Sequence, residues 1–261
     1  QLALANNYPF RRYTPAGPLG AEATIAIVIP RPQAREPKLS DPFVLELVAA
    51  IGEAARERGC DFLVSHVSPS SHDDLVEVME TNRADGVIFL GQSGLHEEFN
   101  ALAENSRKFV VWGAELPGQK YCSVGSDNFV GGRRATRHLI RLGRKKIAFL
   151  GDTIAPEVMQ RHQGYIEALR ESNISVDDKL ILPTHFDVES GEASVNELLG
   201  ENIEFDAIVA ASDMIAIGAI RGLQKFGKSV PKDVSVIGYD DVQFARLSLP
   251  ALSTISQDRK S

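Results

Sequence analysis

Short apolar runs rich in β-branched residues alternate along the chain with longer stretches in which apolar residues recur every three or four positions. The runs Thr24–Pro30 and Val234–Tyr239 are apolar almost throughout, as expected of strands covered on both faces of a parallel sheet. Between such runs, Phe43–Arg58 places Val44 and Leu47 on one face of a helix. This alternation predicts repeated βαβ units and a doubly wound α/β architecture.

The same pattern can be followed through the rest of the chain. The remaining predicted strands are Phe62–His66, Gly86–Leu90, Phe109–Trp112, Lys146–Leu150, Leu180–Leu182, Ala207–Ala210 and a strand-like Leu252–Ile255. The remaining predicted helices are Asp73–Asn82, Val130–Leu142, Glu157–Glu171, Ala193–Leu199 and Asp213–Phe226. The six predicted helices are enough to cover both faces of a sheet.

Residues 1–23 follow a different pattern. Pro9, Pro15, Gly17 and Pro18 interrupt any regular element there. We therefore expect this stretch to be a linker rather than part of the folded unit.

Composition narrows the class of protein. The 261 residues are 43% hydrophobic, enough for a large core, yet no apolar run approaches the roughly 20 residues that span a bilayer. We expect a soluble, cytoplasmic protein without a membrane partner, in which Cys60 and Cys122 are reduced thiols. A net charge of −7 argues against DNA binding by this segment alone, because phosphate neutralisation needs clustered Lys and Arg.

The motifs of common α/β enzymes are absent. No GxGxxG, GxxxxGK[ST] or HExxH pattern occurs, and Gly91-Gln92-Ser93-Gly94 lacks the order of a nucleophile elbow. We therefore expect neither catalysis nor a metal or other cofactor. The pair Gly131-Gly132 could receive an anion at a helix N-terminus, but close packing of the helix is favoured.

An ordered series of motifs carries a family resemblance. The strongest is the segment VPKDVSVIGYDD at residues 230–241, followed by PALSTI at residues 250–255. Upstream lie Asp127-Asn128 with Gly131-Gly132, then Arg161-x-x-Gly164-Tyr165, then Ser212-Asp213-x-x-Ala216-x-Gly218. In this order and spacing the chain resembles the LacI/GalR family of bacterial transcription regulators, from Thr24 to Asp258.

The resemblance implies two Rossmann-like lobes with parallel sheets, joined by crossover strands, as in periplasmic binding proteins. Residues 24–143 and 252–261 would form the N-terminal lobe, and residues 144–251 the C-terminal lobe. A small sugar-like effector would bind between the lobes of a homodimer. It would control operator DNA binding by an N-terminal helix-turn-helix domain that this sequence lacks. A periplasmic sugar-binding protein of a transporter is the alternative.

Three polar residues are candidate ligand contacts. Asp240 ends the run Val234–Tyr239, where open α/β sheets bind ligands, and the family holds ligand polar groups with the matching carboxylate; the alternative is a turn cap. Arg161 matches an effector contact and could donate a fork of hydrogen bonds, so we expect it to be the main anchor without a role in folding. Ser212 matches a position that often carries Asn.

Aromatic and further polar candidates lie at other strand ends. The resemblance places Phe43 and Phe186 against the ligand, although either could be a core residue. Asp41 either accepts ligand hydroxyls or caps the helix that Pro42 begins. Trp112 replaces an Asp of several relatives and either stacks on the ligand or packs in the core. The remaining candidates, as an amide and a hydroxyl contact, are Gln92 and Ser93.

Overall fold

The computed structural model describes residues 23–30, 41–65, 67–81 and 84–257. Its strands are β1 Thr24–Val28, β2 Asp61–Val64, β3 Gly86–Leu90, β4 Phe109–Trp112, β5 Ser123–Val124, β6 Ile147–Leu150, β7 Ile181–Leu182, β8 Ala207–Ala210, β9 Ser235–Asp240 and β10 Ser253–Ser256. Its helices are α1 Pro42–Glu57, α2 His72–Thr81, α3 His96–Asn105, α4 Asn128–Arg141, α5 Pro156–Glu171, α6 Val188–Gly200, α7 Asp213–Lys225 and α8 Gln243–Leu247. The linker expected at residues 1–23 lies outside the described residues except for Ala23.

The strands form two parallel sheets of five strands each. The first has the order β2-β1-β3-β4-β5 and the second the order β10-β9-β8-β6-β7. In both sheets the chain first adds one strand on one side of its starting strand and then continues on the other side. Because all strand pairs are parallel, the carboxyl ends of the strands lie at the same end of each sheet. This confirms the α/β class with two parallel-sheet lobes, and it makes the two strand edges the places where ligand groups can converge.

Each sheet has its own apolar core. In the N-terminal lobe, Phe89, Phe99 and Phe109 pack ring against ring, with Phe89 and Phe99 centroids 5.1 Å apart. In the C-terminal lobe, the strands β6 and β8 are buried at every position. Strands covered on both faces explain the continuous apolar runs of the sequence.

The expected lobe boundaries need correction. Helix α4, assigned above to the N-terminal lobe, packs along α5 and against β8, β9 and β10 of the second sheet. Strand β10, also assigned to the N-terminal lobe, pairs with β9, with Thr254 opposite Gly238. The second lobe therefore includes residues 128–141 and 253–256. The sequence pattern predicts elements but not which sheet edge an element joins.

Glycines allow the helices of the second lobe to pack closely. A methyl group at Gly132 would overlap the Arg161 carbonyl, and one at Gly164 would overlap the Phe129 carbonyl. These contacts join α4 to α5, so close packing accounts for Gly132. A Cβ at Gly131 would strike the Tyr239 ring, which makes packing the role of the neighbouring glycine as well.

Three short elements were not predicted. Helices α3 and α8 and strand β5 offer few apolar positions to a periodicity argument, since α3 buries only Phe99 and Leu102 among its apolar side chains. Within the described part of the chain, no helix has the length and apolar character to cross a bilayer.

Candidate functional site

Arg161 and Asp240 meet at the carboxyl edge of the second sheet. Arg161 lies on α5, the helix after β6, and Asp240 is the last residue of β9. The Arg161 Nη1 and Asp240 Oδ1 atoms are 3.9 Å apart. The structure therefore brings together the two residues that the sequence singled out most strongly.

Further contacts fix the Arg161 guanidinium. Its Nε donates to Asn128 Oδ1 at 2.9 Å and its Nη1 donates to the Ala211 carbonyl at 2.5 Å. Its carbon Cζ lies 3.7 Å from the centroid of the Tyr239 ring, a cation–π arrangement. Arg161 is only 5% exposed. The expectation that it plays no part in folding is therefore wrong, because it joins α5 to α4, β8 and β9.

Asp240 is held in an unusual backbone conformation. Its φ is +110°, and Asp241 follows with a φ of +55°, so the chain turns sharply at the end of β9. Gln257 Nε2 donates to Asp240 Oδ1 at 2.5 Å, and Gln257 Oε1 accepts from Ser126. Burial raises the pKa of Asp240 to about 7, and Arg161 opposes that rise.

Two more carboxylates come close to this pair. Glu157 lies one helical turn before Arg161 on α5; its pKa is lowered by the Arg161 charge and by the backbone of Ala114 in the first lobe, against a larger opposing effect of burial. Asp41 interacts electrostatically with Asp240. Burial raises the pKa of both Glu157 and Asp41. Among the described residues, three carboxyl groups from the two lobes thus interact with Arg161 or with one another.

Asp41 caps a helix. Its Oδ1 accepts from the backbone N–H groups of Phe43 and Val44 at 2.9 and 3.1 Å, which satisfies two donors at the start of α1. The capping alternative is thus observed. The electrostatic contact with Asp240 still puts this carboxylate at the cleft.

Two aromatic side chains of the first lobe contact each other. The Phe43 and Trp112 rings are 6.0 Å apart and tilted by 48°. Both are half-buried and pack against the apolar core of the first lobe; Trp112 ends β4, whereas Phe43 lies in the first turn of α1. Phe186, after β7, is 42% exposed and makes no ring contact among the described residues. The first pair offers a formed apolar surface, whereas Phe186 stands apart.

Gln92 does not face the cleft. It is fully buried; its Nε2 donates to the Ala114 carbonyl and to Tyr121 Oη at 2.7 and 2.8 Å, and its Oε1 accepts from Ala114 N. A side chain with its amide groups satisfied internally cannot grip a ligand, so this expectation is corrected. Gln92 instead braces the loop that follows β4.

The two hydroxyl candidates also have local partners. Ser93 Oγ donates to the Pro30 carbonyl at 3.2 Å. Ser212 caps α7 by accepting from Ile215 N at 3.3 Å, which leaves its own hydrogen free to donate. Ser212 also follows Ala211, whose carbonyl binds Arg161. Of the two, Ser212 is the one beside the charged pair.

Direct hydrogen bonds join the two lobes across the cleft. Gln160 Nε2 on α5 donates to the Glu115 carbonyl at 2.8 Å, and Gln243 N donates to Glu46 Oε1 at 2.9 Å. In the second bond the partners are 197 residues apart in sequence. The lobes are therefore in contact on two sides of the charged cluster, as in a closed cleft.

A family model matches most of the chain. Residues 30–261 match the family described as periplasmic binding proteins and sugar binding domain of LacI family. The chain belongs to the LacI family. It is similar to the HTH-type transcriptional regulator CelR of Thermobifida fusca, with 33% identity over 90% of this chain and 69% of the relative. It is also similar to DegA of Bacillus subtilis, with 31% identity over 86% of this chain and 68% of the relative.

Solved structures agree with this membership. A CelR–cellobiose complex superimposes with a TM-score of 0.76 and 31% identity, over 91% of this chain and 73% of that one. The Escherichia coli transcriptional repressor ascG gives a TM-score of 0.75 and 28% identity, over 90% and 84%. The chain is thus the ligand-responsive core of a LacI-family transcriptional regulator, and the matches favour this over the transporter alternative.

Several cleft residues of this LacI-family core were missed from sequence. Asn128, Tyr239 and Gln257 all contact Arg161 or Asp240. Asn128 and Tyr239 lie inside the family motifs, but a motif does not say which of its residues faces the cleft. Glu157 could have been found from its spacing, since residues four apart share a helix face.

The arrangement suits reversible binding. Carboxylates accept from ligand hydroxyls, the guanidinium donates, and the Phe43–Trp112 surface can cover an apolar ring face. Within the described ranges no group of three or more His, Cys, Asp or Glu side chains could hold a metal ion.

Proposed function

We propose that this LacI-family core binds a small sugar-like effector between its lobes and thereby controls operator DNA binding by a helix-turn-helix domain, most simply as a repressor. Regulators of operator DNA act in the cytoplasm, where we place this protein. The relatives named above are HTH-type regulators, and CelR has been solved with cellobiose. We also propose that the core has no catalytic activity.

One observation carries the proposal. The Arg161 guanidinium and the Asp240 carboxyl group lie together at the carboxyl ends of the second sheet, and Phe43 and Trp112 form an aromatic pair in the first lobe. A pyranose has vicinal hydroxyls on its rim and apolar C–H faces. The charged pair fits the rim, and Phe43 with Trp112 fits a face.

Interlobe contacts give the ligand a way to act at a distance. The bonds from Gln160 to Glu115 and from Gln243 to Glu46 exist only when the lobes are close. A ligand that touches both lobes favours that closed state by its differential affinity. Closure then changes the relative position of the N-terminal lobes in a dimer, and with it the spacing of the DNA-binding heads.

The homodimer has a candidate surface on the second lobe. Phe244, Leu247 and Leu249 are 52%, 67% and 85% exposed around α8. Exposed apolar side chains grouped in this way mark association sites. Light scattering at tens of micromolar should report a dimer, and Leu249→Glu should give monomer. Ile154→Glu, at an exposed isoleucine away from α8, is the control and should stay dimeric; a wild-type monomer would contradict the proposal.

Titration calorimetry tests the effector function. Neutral sugars, including glucose, ribose and cellobiose, would be titrated into the wild type and into Asp240→Asn. At least one sugar should bind the wild type, and Asp240→Asn should weaken it by about 1–3 kcal/mol, because a charged acceptor is replaced by a neutral one. Failure of every sugar to bind would overturn the proposal.

A further inference from the structure

We propose that Asp213 is a positioning residue for the effector site, because its side chain fixes the turn in which Asp240 stands beside Arg161. The pair Ser212-Asp213 carries part of the family resemblance, but Asp213 is not among the predicted ligand contacts. This inference rests on the proposed effector function. It adds a residue that acts through Asp240 and does not itself touch the ligand.

The turn after β9 has a backbone conformation that needs support. Asp240 has a φ of +110° and Asp241 a φ of +55°, and residues other than glycine seldom adopt positive φ because their Cβ atom is crowded there. Two such residues in succession persist only where surrounding contacts hold them. Contacts from neighbouring elements must therefore keep Asp240 Oδ1 at its place 3.9 Å from Arg161 Nη1.

Asp213 provides such contacts. It is the first residue of α7 and is fully buried. Its Oδ2 accepts from Val242 N at 2.9 Å, and its Oδ1 accepts from the Thr254 hydroxyl at 2.6 Å. Thr254 Oγ1 in turn accepts from Asp241 N at 3.3 Å. One carboxyl group thus joins α7 both to the residue after the turn and to the edge strand β10, which binds the turn itself.

The charge state of Asp213 suits this arrangement. Burial raises its pKa to about 6, and the bonds from Thr254 and Val242 oppose that rise. At neutral pH the group is therefore mostly a carboxylate, which accepts with both oxygens. An amide in its place has only one acceptor oxygen for the two donors.

A glycine of β9 leaves space for the carboxyl group. A methyl group at Gly238 would overlap Asp213 Oδ1. Gly238 is paired with Thr254 in the register of β9 and β10. The Asp213 side chain therefore lies over the β9–β10 pair, two residues before Asp240 and close to the carboxyl end of the sheet.

The short segment of residues 211–213 contacts both members of the charged pair. The Ala211 carbonyl accepts from Arg161 Nη1 at 2.5 Å. Two residues later, Asp213 binds Val242 at the end of the turn that contains Asp240. The position of Arg161 relative to Asp240 is therefore set by this one segment, which connects β8 to α7.

Titration calorimetry and hydrogen exchange on the whole chain test the inference. Asp213→Ala removes both acceptors. It should weaken binding of whichever of glucose, ribose and cellobiose binds the wild type by at least about tenfold, because Asp240 is no longer held beside Arg161. Asp213→Asn keeps one acceptor oxygen and should recover part of the affinity. Without ligand, the amides of residues 240–242 should exchange at least about tenfold faster in Asp213→Ala.

Asp206→Ala is the matched control. Asp206 precedes β8 in the same lobe, at the end of the sheet opposite the cleft, and its carboxyl group also accepts two backbone bonds, from Lys145 N at 2.8 Å and Lys146 N at 3.0 Å. Its replacement should leave sugar affinity and the exchange of residues 240–242 unchanged. Urea melts of both alanine variants show whether lost affinity follows lost stability or lost position.

Thr254→Val loosens the same turn without changing Asp213. Valine keeps the shape of threonine but lacks the hydroxyl that binds Asp213 and Asp241. The variant should weaken sugar binding by about threefold and speed the exchange of residues 240–242. Added to Asp213→Ala, it should have a smaller effect than alone, because Thr254 acts partly through Asp213. It also decides the inference if Asp213→Ala does not fold.

The outcomes separate this inference from the effector function. If a sugar binds the wild type, and Asp213→Ala and Asp206→Ala bind it equally well, the positioning role is wrong and the effector function stands. Unchanged exchange of residues 240–242 in Asp213→Ala and Thr254→Val also overturns the positioning role. If no sugar binds the wild type, the effector function fails, and the exchange result alone decides whether Asp213 holds the turn.

Discussion

The two lobes share a five-stranded parallel sheet but bring different chemistry to the cleft. The N-terminal lobe contributes the rings of Phe43 and Trp112. Its buried amide, Gln92, makes its hydrogen bonds to the backbone of Ala114. The C-terminal lobe presents Arg161 against Asp240. If the proposed effector binds between the lobes, it meets mainly aromatic surface from the first lobe and mainly charged groups from the second.

The lobes also differ in how their helices pack. In the C-terminal lobe, backbone meets backbone at glycines: Gly132 lies against Arg161, and Gly218 lies against Val188. In the N-terminal lobe, the corresponding close approach is between Gly52 and the ring of Phe62, which is 45% exposed. A backbone contact cannot move aside, whereas an exposed ring can. Arg161 therefore lies on a helix whose contact with α4 leaves no room for an added methyl group.

Replacing Arg161 tests the polar contribution of the C-terminal lobe, and we expect the largest effect here. Arg161→Ala should cost about 2–4 kcal/mol of sugar binding, roughly 30-fold to 900-fold in Kd. It should also lower the free energy of unfolding by about 3 kcal/mol, because buried Asp240 loses the neighbouring guanidinium and Asn128 Oδ1 and the Ala211 carbonyl lose their donor. Arg161→Lys should recover only part of either, since an ammonium cannot reproduce the planar fork.

Calorimetry and urea melts on the same samples measure both losses. Arg246→Ala is the control, because Arg246 is an exposed arginine paired with Asp241, and it should change both quantities by less than about 1 kcal/mol. Wild-type affinity in Arg161→Ala would contradict the site. Wild-type stability in that variant would contradict its role as a link between helices and strands.

Glycine substitutions test the difference in packing. Gly132→Ala should lower the free energy of unfolding by about 2 kcal/mol or more, because the new methyl overlaps the Arg161 carbonyl. Gly52→Ala should cost less than about 1 kcal/mol, since the Phe62 ring can turn outward and Ala favours the helix. Gly200→Ala meets nothing within 4 Å and is the control.

Denaturant unfolding of the three variants gives the ranking. Equal losses for Gly132→Ala and Gly52→Ala would remove the distinction between the backbone contact at Gly132 and the side-chain contact at Gly52. An unchanged free energy of unfolding in Gly132→Ala would further mean that α4 and α5 can move apart without loss of the contacts of Arg161.

The sequence predicted the fold better than the details of the site. Apolar runs buried on both faces identified the strands, and strand ends identified Asp240 and Trp112. The sequence could not show that Gln92 is satisfied by Ala114 and Tyr121, because those partners lie 22 and 29 residues away in sequence. Nor could it show that Arg161 is buried, which depends on α4 joining the second lobe.

Truncating the aromatic pair tests the apolar side of the cleft. Phe43→Ala and Trp112→Ala should each weaken sugar binding by about 1–2 kcal/mol, because a stacking surface is lost while the hydrogen bonds remain. Phe186→Ala is the comparison, and its cost should be smaller, since Phe186 is exposed and apart from the pair. If Phe186 were instead the main stacking surface for the sugar, calorimetry would show a larger loss of affinity for Phe186→Ala than for the other two variants.

A pH experiment sharpens the contrast between the lobes with the smallest expected effect. In the N-terminal lobe, both ring nitrogens of His96 have partners, Tyr121 Oη and the Pro117 carbonyl. In the C-terminal lobe, His162 Nε2 is buried and has no hydrogen-bond partner within the described part of the chain, and the ring packs between Phe149 and Tyr165. Burial lowers the pKa of His162, so the folded state resists its protonation.

Because the pKa of His162 is lowered in the folded state, acidification should destabilise the wild type. Below pH 6.5, the ordinary pKa of His, the unfolded chain binds a proton that the folded chain resists, so this contribution to stability is present above pH 6.5 and is lost as the pH falls. His162→Phe keeps an aromatic ring in the cluster and should remove the loss. Acidification from pH 8 to 5 should therefore stabilise His162→Phe relative to the wild type. The relative change in unfolding free energy should be less than about 1 kcal/mol, because the His162 ring is only half-buried. Urea melts at both pH values measure it, and a change that is absent or of the opposite sign would mean that His162 is protonated at no cost inside the second lobe.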